Sequence, residues 1–321
     1  MIIKDINRQQ VPVIGNILPL KKKNIIPIKV NKKIEIVVVP NLGEPNSHQD
    51  NVGIILEEKK IQRILSKRYR HVLIAEINSM DDLEQLVKRK PDLVFSGVKY
   101  FYFNNKKIWL NDYLEIFSIP YIASSKAALD NESDKNRAKN IIQQNKIRTA
   151  DFFITNPGEH IKESSIPIKF PLFIKPITGG DSRGIDKNSL VFNFEEFTAK
   201  VLDIKLKLNT SSLVETYLAG KEYSVGIFED SVDGSLRAMP IEIIVKKNID
   251  GYCILDFDVK KNDEEEVVLV SDNEIFKKLS EIAKNSFIAL GGKSLGRIDI
   301  KMDHLGEPHF VEANLMPGLR K

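Results

Sequence analysis

The sequence predicts a two-part fold, an open α/β unit followed by an α+β remainder. Three observations carry this prediction. Between residues 33 and 124, β-branched strands alternate with helical periods, the pattern of parallel βαβ units. From residue 151 onward, strands crowd together with few helices between them, which implies antiparallel pairing. The chain has 321 residues, and at about 100–200 residues per domain that corresponds to two or three folding units.

The elements follow in order. Residues 1–30 carry prolines at 12, 19 and 27 and a lysine run at 21–23, and are expected to form an extended arm. "KIEIVVVP" (33–40) is the first strand, and a Gly/Asn/Pro stretch, 41–51, follows it. Apolar residues at 52, 55, 56, 61, 64 and 65 predict a helix over 52–68. Residues 71–77 form a second strand, 81–88 a short helix and 91–97 a third strand, and 110–124 a helix running into a short strand. This places an N-terminal α/β domain at 31–125. The charged segment 126–150 has helix-compatible spacing, and strands are expected at 151–155, 170–177, 190–193, 212–218, 222–230 and 236–245. The clearest helix is 272–291, with Asp272 as N-cap, an apolar stripe through 275, 276, 279, 282, 283, 287 and 290, and Gly291 and Gly292 as its stop. Central and C-terminal units then occupy 126–210 and 211–321.

Composition excludes several classes. With 42% hydrophobic and 29% charged residues the chain is an ordinary globular one, which excludes wholesale disorder. Its 48 basic and 44 acidic residues leave a net charge of +4, dispersed along the chain, which argues against a dedicated nucleic-acid binder. The single cysteine, Cys253, can form neither an internal disulfide nor a cysteine-based zinc site. The apolar run 11–20 is half the length of a membrane span and lacks a signal-peptide pattern, so a cytoplasmic protein with no membrane partner is expected.

Three segments carry chemistry. "GRIDIKMDHLGEPHFVEANLMPG" (296–318) reads as a hairpin with strands 296–303 and 308–315 around a turn at 304–307. In that register Asp299 faces Glu312 and Arg297 faces Asn314, all four on one face, with Ile298, Ile300, Val311 and Ala313 on the other. Two carboxylates and an amide are hard oxygen ligands suited to magnesium, and Arg297 beside them suits a developing negative charge. The competing reading is a solvated face with cross-strand ion pairs. "FIKPITGGDSRGI" (173–185) delivers Lys175 from a strand into a loop containing Gly179, Gly180, Asp181, Ser182 and Gly184, whose backbone could approach phosphate oxygens. The spacing is neither that of a Walker A loop nor GxGxxG, and a plain glycine turn is the alternative. "LVETYLAGKEYSVGIF" (213–228) places Glu215 and Glu222 on either side of a tight turn, where strand backbone and a carboxylate could read adenine and a ribose hydroxyl. A polar-edged hairpin competes with that reading. Lys135, on a charged helix, and Lys260 and Lys261, ahead of an acidic run, rank lower, and the five histidines show no metal spacing.

The order Lys135, "FPLFIKPITGGDSRG", "SLVETYLAGKEYSVGIF" and "GRIDIKM…PHFVEANLMPGL" resembles the ATP-grasp superfamily and, within it, the D-alanine–D-alanine ligase group, over residues 90–319. The resemblance implies an ATP-grasp fold behind an N-terminal open α/β domain. It implies an ATP-dependent carboxylate–amine ligase working through an acylphosphate, with ATP and magnesium (or manganese) as cofactors. Lys135 and Lys175 would meet the phosphates and the glycine loop would cover them. Glu215, Thr216, Tyr217 and Leu218 would read adenine, and Glu222 the ribose. Lys260 would reach the γ-phosphate from a mobile loop. Asp299, Glu312 and Asn314 would hold the metal ions, and Arg297 with the Gly318 amide would form the oxyanion site. Substrates would be amino-acid-like, and a homodimer through the first domain is suggested.

The sequence also departs from the family pattern. After the first strand only Glu44 and Ser47 could orient a first substrate, and "SGVKYFYFNNKKIW" replaces a His-Gly acidic segment. Asp181 and Lys261 stand where serine and tyrosine are usual. The sequence stops three residues past Gly318, ahead of the family's closing segment, so either the chain is cut short or that wall comes from elsewhere. The alternative is therefore a non-catalytic module that binds ATP and magnesium.

Overall fold

A computed structural model of the chain describes residues 29–38, 53–54, 56–103, 106–180, 182–230, 233–246, 251–262 and 264–318. Residues 1–28 of the expected arm, Glu44, Ser47 and Asp181 lie outside the described residues, and Val30, placed at the end of the arm, belongs to the first strand.

The first unit is a parallel sheet. Strands β1 (Val30–Val38), β2 (Tyr69–Glu76) and β3 (Leu93–Ser96) join a short β6 (Tyr121–Ile122) in the order β2-β1-β3-β6, every pair parallel. Helices α1 (Glu58–Leu65), α2 (Met80–Arg89) and α3 (Leu110–Ile116) make the crossovers. Helix α2 starts where Ser79 and Asp82 cap each other's backbone N–H groups. The helix expected over 52–68 is shorter, because Gly53 bridges to Val98 instead of coiling. A hairpin absent from the sequence reading, β4 (Tyr100–Phe103) with β5 (Lys106–Trp109), is closed by edge-to-face packing of Tyr100 on Trp109.

The second sheet is antiparallel, with β7 (Phe152–Thr155), β8 (Leu172–Pro176), β9 (Leu190–Val191) and β10 (Ser212–Thr216) in the order β7-β10-β8-β9. Helix α6 (Phe194–Leu208) lies against it, packing Phe197, Val201 and Ile204 on Leu172, Ile174 and Val214. This 15-residue helix corrects the expectation of few helices here. Its signal was present: Asn193 caps the Glu196 N–H, two glutamates occupy the first turn, and Asn209 stops it in the left-handed region at φ 49°.

The third sheet orders β13 (Glu266–Leu269), β12 (Leu236–Ile244), β11 (Glu222–Glu229), β14 (Leu295–Met302) and β15 (Pro308–Asn314) as β13-β12-β11-β14-β15. Its apolar face carries Tyr223, Val225, Ile298 and Ile300 into the largest core, where α4 (Lys126–Ser133), α5 (Lys135–Gln144) and α8 (Asn273–Ala289) meet it through Leu129, Ile142, Leu279 and Phe287. Asp272 caps α8 as expected, accepting from the Glu274 and Ile275 N–H groups. Helices α4 and α5 thus pack on the third sheet, whereas β10, beyond the expected division at residue 210, pairs with β7 and β8 in the second.

Candidate functional site

The second and third sheets face each other across a cleft. Its walls are apolar at Ala150, Phe173, Ile185, Tyr217, Leu218, Ile254, Leu255 and Val311, and charged at Lys175, Glu215, Glu222, Lys260, Asp299, Lys301 and Glu312. Such a cleft can hold a flat apolar ring at one end and a polyanion at the other.

The hairpin of the third sheet supplies the acidic part. Asp299 pairs with Glu312, and Arg297 with Asn314, as the sequence reading expected. The route to that register differs from the expected one. The turn is five residues, 303–307, so Met302 pairs with Pro308 and Ile300 with Phe310, and an extra residue on β15, Val311, then resets the phase. Val311 consequently lines the cleft, which corrects its expected place on the core face with Ile298, Ile300 and Ala313. Arg297 holds both oxygens of Asp299 at 3.0 Å, and the Ser224 hydroxyl donates to the same carboxylate at 2.8 Å. Among the described residues no three His, Cys, Asp or Glu side chains form a metal cluster. The donor set here is two carboxylates completed by the Asn314 amide. That set fits a magnesium ion sharing its shell with phosphate oxygens.

The floor of the cleft is a buried charge cluster that the sequence reading only partly found. Glu215 on β10 accepts from Lys175 on the neighbouring β8 at 2.6 Å and from Lys139 on α5. Lys139 is 1% exposed and also donates to the Thr149 hydroxyl at 2.5 Å. Burial would raise the Glu215 carboxyl, yet the two ammonium groups hold it down at about 2. Burial lowers Lys139, and Glu215 offsets this only in part. Lys175 faces the same burial but gains from Glu215, Glu312 and Glu222, and stays above the ordinary lysine range.

The glycine loop is tied down at both ends. Lys135 donates its backbone N–H to Ile177 at 3.1 Å and its ammonium to the Gly179 carbonyl at 2.6 Å. Burial lowers the Lys135 ammonium despite the pull of Glu312. Gly179 and Gly184 adopt φ of 98° and 80°, which L side chains rarely take. Ser182, buried in the loop, donates to the Leu255 carbonyl at 3.3 Å and so joins the loop to the segment carrying Lys260. That segment contains a short helix, α7 (Phe257–Lys261), capped by Asp256, where a loop was expected.

Gly220, in the turn from β10 to β11, has a second requirement. Its N–H donates to the Met302 carbonyl at 2.9 Å, and a Cβ there would stand 2.6 Å from the carbonyl oxygens of Met302 and Asp303. Only glycine lets the turn seat against the hairpin, which fixes Tyr217, Leu218 and Glu222 relative to Asp299.

Of the residues expected in a site, the structure brings Lys175, Ser182, Glu215, Thr216, Tyr217, Leu218, Glu222, Lys260, Asp299 and Glu312 to the cleft walls. Lys135, Gly179, Gly180, Gly184, Arg297, Asn314 and Gly318 are not among the wall residues, although Lys135 and Arg297 bond directly to elements that form the walls. Lys139, Ser224 and Lys301 were missed. Lys301 was legible, since period 2 puts it on the face of Arg297 and Asp299. Lys139 was not, because its partner is 76 residues away.

Comparison with known proteins gives consistent matches. The family profile described as D-ala D-ala ligase C-terminus matches residues 140–321. The D-alanine–D-alanine ligase of Aquifex aeolicus (strain VF5) is 30% identical over 239 residues, covering 73% of this chain and 75% of that protein. The D-alanine–D-alanine ligase of Leptospira interrogans (serovar Lai) is 28% identical over 282 residues, covering 80% and 77%. Among solved structures, the Bacillus anthracis D-alanine–D-alanine ligase complexed with ATP superposes with a TM-score of 0.63 at 18% identity, covering 91% of this chain and 88% of that one. The VanG D-Ala:D-Ser ligase from Enterococcus faecalis gives 0.62 at 19%, covering 90% and 91%. At those identities the two structures speak to the fold.

Proposed function

Because the chain belongs to the D-alanine–D-alanine ligase family, ATP-dependent ligases of the ATP-grasp fold, we propose that the cleft joins the carboxylate of one amino acid to the amine of another through an acylphosphate. The observation that carries this is one cleft whose walls hold the cross-strand partners Asp299 and Glu312 together with Lys175, with Glu312 pulling on the ammonium groups of both Lys135 and Lys175.

In this reading the adenine lies in the slot of Tyr217, Leu218, Ile254 and Val311, and reads the strand backbone at Glu215 and Thr216. Glu222 takes the ribose. Lys135, Lys175 and Lys260 neutralise the phosphates, and the loop of Gly179, Gly180, Asp181, Ser182 and Gly184 closes over them. Asp299, Glu312 and Asn314 hold magnesium (manganese would also fit these donors), which neutralises phosphoryl oxygens when bound.

The chemistry has two steps. A carboxylate oxygen of the first amino acid attacks the γ-phosphorus, and the bond to the β,γ-bridging oxygen breaks to release ADP. The amine of the second then attacks the acyl carbon, loses a proton, and expels phosphate. Arg297 and the Gly318 amide stabilise the tetrahedral oxyanion, and loss of such a donor costs about 10²–10³ in rate. Much of the acceleration comes from holding three reactants in register.

The three-part domain division, a cytoplasmic location and a homodimer through the first domain belong to the same proposal. Among the described residues no helix is long and apolar enough to cross a membrane. Relatives that are themselves ligases disfavour the non-catalytic module. The test is phosphate release from ATP with magnesium across a panel of D- and L-amino acids, with D-alanine first. Stimulation by an amino acid, with a ligated product by mass, supports the reading. Folded protein that releases no phosphate with any pair would overturn it.

A further inference from the structure

Among the described residues, the wall of the cleft carries a buried cation, Lys301, that the proposed mechanism does not use. Lys301 follows Asp299 by two residues on β14, so its side chain shares that strand face and points into the cleft. It is directly across the sheet from Glu222 on β11. Its ammonium donates to Glu222 Oε2 at 3.0 Å and to the Cys253 carbonyl at 3.4 Å, and it stands 5.6 Å from the centre of the Tyr217 ring. Only 13% of the Lys301 side chain and 20% of the Glu222 side chain are exposed.

An ammonium has three N–H donors and a carboxylate two acceptor oxygens. Among the described residues, two of the three donors and one of the two oxygens are accounted for. The pair therefore presents one charged donor and one charged acceptor side by side at the cleft wall. A vicinal diol is complementary to this arrangement: one hydroxyl donates to Glu222 Oε1 while its neighbour accepts from Lys301 Nζ. A lone carboxylate would bind either hydroxyl, and it would tolerate the loss of one.

We infer that Lys301 is a specificity-determining residue that, with Glu222, selects a nucleotide carrying an intact ribose diol. The inference rests on the ATP reading above and adds to it a residue and a discrimination. Charge-assisted hydrogen bonds are stronger than neutral ones, and buried polar groups left unpaired by a deoxy analogue are penalised.

The test is equilibrium binding of ATP and of 2′,3′-dideoxyATP, each with magnesium, to the full chain and to the variants Lys301→Met and Lys301→Arg. The unaltered protein is expected to favour ATP by about 30-fold or more, as a site built to bond hydroxyls rejects their loss. Lys301→Met should shrink that ratio about tenfold while leaving dideoxyATP affinity within about threefold, because the lost contact is to the diol. Lys301→Arg, which keeps a cationic donor, should retain most of the discrimination. If Lys301→Met weakens both nucleotides equally, Lys301 merely supports the fold and the inference fails. If the ratio is unchanged while ATP still binds, the inference fails and the ATP reading stands. If the unaltered protein binds neither nucleotide, both readings fail.

Discussion

The two charged regions of the cleft are built on opposite principles. On the floor, Glu215 is enclosed by Lys139 and Lys175, all three nearly without solvent contact. At the hairpin, Asp299, Glu312 and Arg297 are only partly buried, and acceptors outnumber the one guanidinium that serves them. A buried cluster costs desolvation that only close pairing offsets, so it is retained for the geometry it imposes. A half-open cluster with spare oxygens keeps its ligating capacity for something that arrives later. Each place holds three formal charges. The difference lies in how completely the protein satisfies its own charges, and that separates scaffold from chemistry.

The largest effect is expected at the hairpin. Glu312→Gln and Asp299→Asn should each lower turnover by about 10³-fold or more, the several kcal/mol that a misplaced cation would forfeit. Thermal unfolding should barely move, and a large fall in melting temperature would place these carboxylates in the scaffold instead. The floor should respond in the reverse way. Lys139→Met leaves Glu215 with one cation in place of two, and about 3 kcal/mol of stability should be lost in urea titration, the low end for breaking a buried pair. Equal stability of the variant would show that Lys175 alone suffices.

Acid provides a third probe. The Glu215 carboxyl is held at about 2, below the ordinary 4.5, so between those values the unfolded chain binds a proton that the native state refuses. The contribution of Glu215 is complete above about pH 4.5 and is lost as pH falls toward about 2. Urea midpoints measured from pH 6 to pH 3 should fall more steeply for the unaltered protein than for Glu215→Gln. Parallel curves would remove the floor's claim to be fully charged. The smallest effect is expected at the seam between the regions. Ser224→Ala deletes one hydrogen bond to Asp299, worth about 1 kcal/mol, and should change the apparent metal affinity only a few-fold. A loss as large as that of Asp299→Asn would make Ser224 part of the chemistry.

The hairpin was legible because its information is local. Period-2 alternation and turn residues are enough to bring Asp299 opposite Glu312. The parallel first sheet was legible for the same reason, each strand announcing itself in β-branched residues. The floor was not, because Lys139 on a helix of lysines, arginine and asparagines reads as solvated surface until α5, packed on the third sheet, brings it to Glu215 of β10. Helix α6 lay in plain view, with its cap and its stripe at 194, 197, 201 and 204, and was overshadowed by the flanking strands. The β4–β5 hairpin, rich in aromatic residues, depended on ring contacts that no spacing rule encodes.

The bulge at Val311 acts as a phase corrector. The turn is one residue longer than the counting rule required and the strand carries one residue more, so two offsets cancel before the paired carboxylates are reached. A single-residue deletion at Val311 would remove the bulge and leave Glu312 opposite Asp299, whereas drawing Val311 itself into the ladder opposite Asp299 would turn Glu312 and Asn314 to the core side. Length changes confined to the bulge or the turn therefore keep the two carboxylates paired while altering the number of residues between Asp299 and Glu312. A search for such hairpins in other chains should therefore match pairing parity on the two strands and let the interval between the acids vary.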